Sequence, residues 1–411
     1  MSSLKPILGR LLFFVATTCR NKLQNLTHTT WLRGKWKERS IENGGKDMKK
    51  IFTLAGLGVV LFSGATMLVA ANNPAVDSSI EKLGMHIYKD KNLSLNQNQS
   101  CQTCHHPLAG FADRSNFLHP YDKVVSVGSD GVSLGGRNAP SSAYAGYSPI
   151  RYTVKNADGS TDYFGGMFWD GRMDGSDLGD PLAEQAQGPP LNLAEMAMVS
   201  FEAVLEVIRD STYYYLWPLV FKEDIAGPPT ADDWDNFARA VAAYERSKDV
   251  TKFTSKYDVA HKDFTDQEKA GEALFETHCA SCHATDTEGT FFNNEPPPKP
   301  LFTTYGYANI GVPANPLLDL PADLGLGAVV DDESQDGKFK IPTLRNIAVT
   351  APYSHNGSFP TLNEMVAFIN DSSQFTPEVS DNISDMVGKL GLDSNDIDDL
   401  VAFLNTLTDD Y

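Results

Sequence analysis

Cys101-Gln102-Thr103-Cys104-His105 is a C-x-x-C-H run, and the chain repeats it as Cys279-Ala280-Ser281-Cys282-His283. This is the spacing of covalent c-type haem attachment. Cysteines three apart on a turn of helix face one way, so each can form a thioether to one vinyl group of a single porphyrin. The histidine that follows is then placed under the iron as an axial ligand. A zinc knuckle and a thioredoxin-type redox pair also use C-x-x-C. Zinc wants four ligands close together, and these two pairs stand far apart in the chain. A redox pair does not require the trailing histidine, least of all twice. The sequence therefore predicts two covalent c-type haems, one on Cys101, Cys104 and His105, the other on Cys279, Cys282 and His283.

The flanks of the two runs match. Before the first, Asp77 to Tyr88 reads as a helix, with Ser78 and Glu81 as a capping box and Gly84, Ile87 and Tyr88 following. Before the second come Thr265 and Glu268 as capping box, then Gly271, Leu274 and Phe275. Each copy also closes on an amphipathic helix, Trp234–Lys248 in the first and Asn395–Leu407 in the second. This is an internal repeat. A cytochrome c module crosses its N-terminal and C-terminal helices beside the haem; a glycine at the crossing lets the backbones approach, and an aromatic residue covers the haem edge. The expected fold is mainly α, with two cytochrome c-like haem domains and long irregular loops. The domains are placed at 72–248 and 262–411, joined by a linker at 249–261. The loops are expected at 114–166, rich in Gly, Ser, Asn and Tyr, and at 284–340, which contains Glu295-Pro-Pro-Pro-Lys-Pro300. Structureless stretches this long in compact modules are usually functional.

The chain has 411 residues and five cysteines, four of them in the two runs. Met48-Lys49-Lys50, an apolar run from Ile51 to Val69 and Ala70-Ala71 read as a signal peptide over 48–71, cleaved after small residues. An uncleaved membrane anchor is the alternative, since the run approaches spanning length; its glycines, serine and small terminal residues favour cleavage. Residues 1–47, basic and carrying Cys19, are then a non-native upstream extension, with Met48 as the true start. Without these segments no structural disulfide is expected, and the location is periplasmic. The formal net charge is −19, and removing the basic leader makes the chain more acidic still. Such a chain will not bind nucleic acid, but it can steer a basic electron-donor protein towards itself.

The remaining motifs carry a resemblance. Gly135-Gly-Arg-Asn-Ala-Pro140, Phe168-Trp-Asp-Gly-Arg172, Glu184-Gln-Ala-Gln-Gly-Pro189, Ala194-Glu-Met196, Lys338-Phe-Lys-Ile-Pro-Thr-Leu-Arg-Asn346 and Thr350-Ala-Pro-Tyr-Ser-His-Asn-Gly357 together resemble the bacterial di-haem cytochrome c peroxidase family, in its MauG-type branch. The resemblance covers residues 80–411. It implies that the N-terminal haem is peroxidatic and the C-terminal haem handles electrons. The family's Val/Ala-Glu-Met glutamate falls on Glu195, an acid/base over the open haem face, where O–O heterolysis needs a proton taken from one oxygen and returned to the other. Gln185 matches a pocket glutamine that hydrogen-bonds bound oxygen. Trp169 matches the tryptophan between the haems, an electron relay. About six residues are inserted between Trp169 and Gln185 relative to the family. A calcium ion is implied between the haems, on the Asn138 side chain and the Thr350 and Pro352 carbonyls, oxygen donors that suit it.

Two departures qualify the resemblance. Reductively activated members close the peroxidatic haem with a second histidine; here the aligned positions are Asp130 or Tyr121, and His119 stands nearby in an apparent insertion. Val125-Ser-Val-Gly-Ser-Asp-Gly131 looks like the branch whose haem stays open, and the open reading is preferred. The sixth ligand of the C-terminal haem aligns with Ile369, which cannot bind iron; Met365, one turn earlier on the same helical face, is the substitute, and a thioether there would raise the potential. His355 is a further option.

The expected activity is reduction of hydrogen peroxide to water with electrons from a small cytochrome c or cupredoxin. The rival is a MauG-like enzyme that oxidises Trp or Tyr side chains of a partner protein. A non-catalytic electron carrier has no use for Trp169, Gln185 and Glu195 together. A homodimer is compatible with the family.

Overall fold

The computed structural model describes residues 74–411; the expected extension at 1–47 and leader at 48–71 lie outside the described residues. Among these, no helix is long and apolar enough to cross a membrane. The first half contains α1 (Pro74–Lys89), α2 (Cys101–Cys104), α3 (Arg114–Leu118), the hairpin β1 (Tyr152–Lys155) and β2 (Thr161–Phe164), α4 (Pro181–Ala186), α5 (Phe201–Arg209), α6 (Leu216–Phe221) and α7 (Ala231–Arg246). The second half contains α8 (Lys256–Val259), α9 (Asp266–His278), β3 (Tyr307–Ala308), α10 (Leu326–Val330), β4 (Phe339–Lys340), α11 (Leu362–Asn370) and α12 (Ser394–Asn405). The protein is mostly helical with few strands.

One crossing is built twice. α1 packs on α7, and α9 packs on α12. A Cβ on Gly84 would stand 1.8 Å from the Ala240 carbonyl oxygen, and a Cβ on Gly271 would stand 1.9 Å from that of Asp399. Glycine is thus required at both crossings, as the repeat predicts. The buried face of α7 is Trp234, Phe237, Ala238, Val241, Ala242 and Glu245, a helical spacing. It starts earlier than the sequence reading because Thr230 and Asp233 form a capping box. Asp393 and Asp396 do the same for α12.

The stretches expected to be irregular contain regular pieces. Within 114–166, Asn156–Ser160 closes a hairpin, with Gly159 at φ 91° and the Asn156 N–H donating to the Ser160 carbonyl. Tyr152 and Phe164 pair in register and stack at 5.2 Å. Within 284–340 lies α10. Their turn-rich composition hid both elements.

The halves are tied by a buried cation. Arg345 is 1 % exposed; it reaches Asp258 at 2.5 and 3.0 Å and donates twice to the Pro300 carbonyl. The rings of Tyr144, Phe253 and Phe302 surround its guanidinium at 5.0–5.5 Å. Tyr144 also donates to Asp409, whose carboxylate accepts from Thr254 and Asn346 as well.

Candidate functional site

The two attachment runs present the same chemistry on slightly different backbones. α2 is a single turn capped by Ser100 and Thr103, and the His105 N–H donates to the Cys101 carbonyl at 2.9 Å. In the second run the cysteines follow the end of α9, and the same bond forms from His283 to Cys279 at 2.9 Å. His105 Nδ1 meets the Phe111 carbonyl at 3.1 Å, and His283 Nδ1 meets the Phe302 carbonyl at 2.8 Å. Each Nδ1 is therefore the protonated nitrogen, and Nε2 keeps its lone pair for a metal. Burial lowers both imidazole pKa values, His283 to about 4, which favours the neutral rings that a metal needs.

Burial also pushes the Cys104 and Cys279 thiols up to about 12. Thiols held neutral in this way do not suit redox exchange. Among the described residues no group of three His, Cys, Asp or Glu could hold a metal ion. A zinc knuckle is thus unsupported, while two cysteines beside a neutral, oriented histidine fit a c-type haem at each run. A cavity of about 320 Å³ runs from Cys279, Cys282 and His283 to Trp169. Its walls include Phe275, Leu362, Val366, Leu400 and Leu404, an apolar enclosure that fits a porphyrin.

Glu195 is half-buried and lies close enough to the first run for its charge to act on Cys101 and Cys104. Its loop is clasped from behind. The Ser129 N–H donates to the Glu195 carbonyl at 2.7 Å, and a Cβ on Gly128 would press on Ala194 at 3.0 Å. Asn192 Nδ2 donates to Oε1 at 2.7 Å. Burial raises the carboxyl pKa above its ordinary value, with the Asn192 bond and the Arg172 charge opposing. Gln185 is half-buried in the last turn of α4, and its side-chain amide has no hydrogen-bond partner among the described residues. The adjoining Glu184, which sequence reasoning passed over, accepts from the N–H groups of Gly175, Asp177 and Leu178. It pins the segment between Trp169 and Gln185, where the insertion falls.

Trp169 joins the halves. Its Nε1 donates to the Asn138 carbonyl at 2.9 Å, and its own carbonyl accepts from the Lys340 N–H at 2.8 Å. Asn138, Thr350 and Pro352 line the same cavity. Asn138 Nδ2 donates to the Val124 carbonyl at 3.0 Å, which leaves Oδ1 for a cation.

His119 is exposed and borders a shallow depression with Gln102 and Thr103, the two residues between the first pair of cysteines. Asp130 is exposed and occupied by Val132 and Ser133; Tyr121 is exposed too. Met365 and Ile369 both line the cavity, and both pack against the cluster of Val312, Ala351, Tyr353, Phe359 and Phe368. Met386, from the loop after α11, lines the same wall. It was missed because nothing in its local sequence marks it. His355 stacks on Phe339 at 3.6 Å and faces Glu378 at 3.4 Å, a structural setting.

The family model for di-haem cytochrome c peroxidase matches residues 78–267, and that for cytochrome c matches 268–318. The methylamine utilization protein MauG of Paracoccus denitrificans is 34 % identical over 393 residues, 88 % of this chain and 96 % of that protein. The cytochrome c551 peroxidase of Pseudomonas aeruginosa is 30 % identical over 334 residues, 80 % and 78 % respectively. The crystal structure of the diheme peroxidase BthA from Burkholderia thailandensis superposes with a TM-score of 0.69 at 28 % identity, covering 81 % of this chain and 86 % of that one.

Proposed function

As the chain belongs to the di-haem cytochrome c peroxidase family and is thereby a di-haem oxidoreductase, we propose that it is an exported peroxidase reducing hydrogen peroxide to water. The electrons come singly from a small cytochrome c or cupredoxin. The haem domains are 72–248, peroxidatic, and 262–411, electron-accepting, with 249–261 between them. The observation that carries this reading is Glu195, a half-buried carboxylate fixed by Asn192 beside the first attachment run.

The haems supply the iron that binds peroxide and the redox capacity that splits it. The chain supplies the rest. His105 and His283, each oriented through Nδ1, would offer Nε2 to the haem irons. Glu195 takes a proton from one peroxide oxygen and delivers it to the other, so that the leaving oxygen departs as water. Two further protons from solvent and two electrons complete a second water. The Gln185 amide, without a partner among the described residues, donates to the bound oxygen. Trp169, hydrogen-bonded to one half and accepting from the other, lies on the route between the sites. Asn138 Oδ1 and the Thr350 and Pro352 carbonyls would hold calcium, a set of neutral oxygens that water would complete. Met365 is the thioether offered to the second iron.

Steady-state turnover of peroxide with several reduced donors tests the reading; no turnover with any donor in the fully loaded protein rejects it. A second reading, MauG-like oxidation of a partner protein's Trp or Tyr, is favoured by the exposed positions of His119, Asp130 and Tyr121. Their exposure supports a first haem that is open in the oxidised protein. EPR of the oxidised protein separates the cases. A high-spin signal beside one low-spin haem means an open site, active without prior reduction. Two low-spin signals mean a closed site that reduction must open.

A further inference from the structure

The Lys338–Asn346 motif contributes one side chain that the proposed reaction does not use. Lys340 ends β4 and lines the cavity shared by His283 and Trp169. Its Nζ donates to the Gly166 carbonyl at 2.7 Å and stands 4.0 Å from Met167 Sδ. An ammonium carries three donors and a full charge. One neutral carbonyl and a thioether compensate neither.

The carboxylates nearby are committed elsewhere. Asp170 is held by Arg137 at 2.6 Å and Arg172 at 2.7 Å. Asp323 is held by Arg137 at 2.6 Å. Glu378 accepts from the Asp323 N–H at 3.1 Å and faces His355 at 3.4 Å. Among the described residues no carboxylate forms an ion pair with Lys340. Burial draws its pKa down to about 8, against the raising influence of Asp170, so the ammonium still predominates at neutral pH. A half-buried ammonium with no carboxylate partner among the described residues is costly to hold. The deficit is removed if whatever fills the cavity brings an anion to Nζ.

A c-type porphyrin offers two propionate carboxylates and no other anionic group. We infer that Lys340 is the counter-ion of a propionate on the haem attached at Cys279 and Cys282. The pair fixes that edge of the haem at the strand that also carries the hydrogen bond to Trp169. This rests on a haem being present at the second run, which peptide mass across Cys279–His283 settles separately.

The test is redox potentiometry of the fully loaded protein as a function of pH, comparing Lys340→Met and Lys340→Arg with the parent. Removing the cation favours the ferric state, so in Lys340→Met the midpoint potential of the second haem falls. The propionate, now unpaired in a low-dielectric setting, has a raised pKa. The midpoint therefore gains a dependence on pH across neutrality that the parent lacks. Lys340→Arg retains the parental potential and its flat pH profile. A Lys340→Met protein with both haems attached and an unchanged potential and profile overturns the inference. Where Lys340→Met fails to retain the second haem, infrared redox-difference spectra of the parent with isotope-labelled lysine decide. An ammonium band that moves on reduction of the second haem supports the pair, and its absence overturns it.

Discussion

Replacing Glu195 by Gln removes an ionisable proton carrier and leaves its setting in place. The glutamine carbonyl oxygen can still accept from Asn192 Nδ2, and the Ser129 clasp on the backbone is untouched. What is lost is proton transfer itself, which contributes about 10²–10⁴ in rate, or about 3–5 kcal/mol of barrier. The assay is steady-state peroxide reduction by a reduced small cytochrome, on protein shown by mass to carry both haems. Its pH profile is an independent readout. A base works only when ionised, so kcat/KM rises with pH through the Glu195 pKa. Burial places that pKa above the ordinary glutamate value of 4.5, and the acid limb of the parent lies correspondingly high. In Glu195→Gln the limb disappears. A variant that keeps kcat/KM within about threefold of the parent, or retains the same acid limb, refutes the assignment.

Gly271→Ala drives a Cβ against the Asp399 carbonyl at 1.9 Å, backbone against backbone with no rotamer to relieve it; a loss of about 3 kcal/mol or more is expected, seen as a lower thermal midpoint by circular dichroism. Asp258→Asn leaves the Arg345 guanidinium buried without its anion and should cost about 3–5 kcal/mol, measured by denaturant unfolding. His119→Ala should leave the oxidised EPR spectrum unchanged, because the imidazole is exposed; conversion of a low-spin signal to high-spin would show that it is a ligand.

What could be read from the sequence is what is written locally. The two attachment runs lie within five residues each, and Gly84 and Gly271 stand at matching places before them. The helices at Thr230 and Asp393 start earlier than the sequence reading because Asp233 and Asp396 complete their capping boxes. The hairpin at 152–164 was hidden by turn-forming residues that in fact close it. Other features arise only on folding. The Arg345 cage draws on Tyr144, Phe253, Asp258, Pro300 and Phe302, and no periodicity links them. Met386 reaches the second cavity from a loop, and Lys340 looks on paper like an ordinary strand-edge lysine.

The two sites share a scaffold and differ in what surrounds it, and that difference fits a division of labour. The same helix crossing, the same glycine and the same Nδ1-to-carbonyl bond recur at both. Beside the first run stands Glu195, a carboxylate with a raised pKa, a group that can move a proton. The cavity of the second is walled by Leu362, Val366, Ile369, Leu400 and Leu404. That apolar stretch lowers the local dielectric, which favours the less charged, reduced iron. Electrons would then be held at the second haem and used at the first, with Trp169 bonded to both halves between them. A duplicated module needs few substitutions to reach this state, since the asymmetry lies in the loops and the lining while the helices remain equivalent.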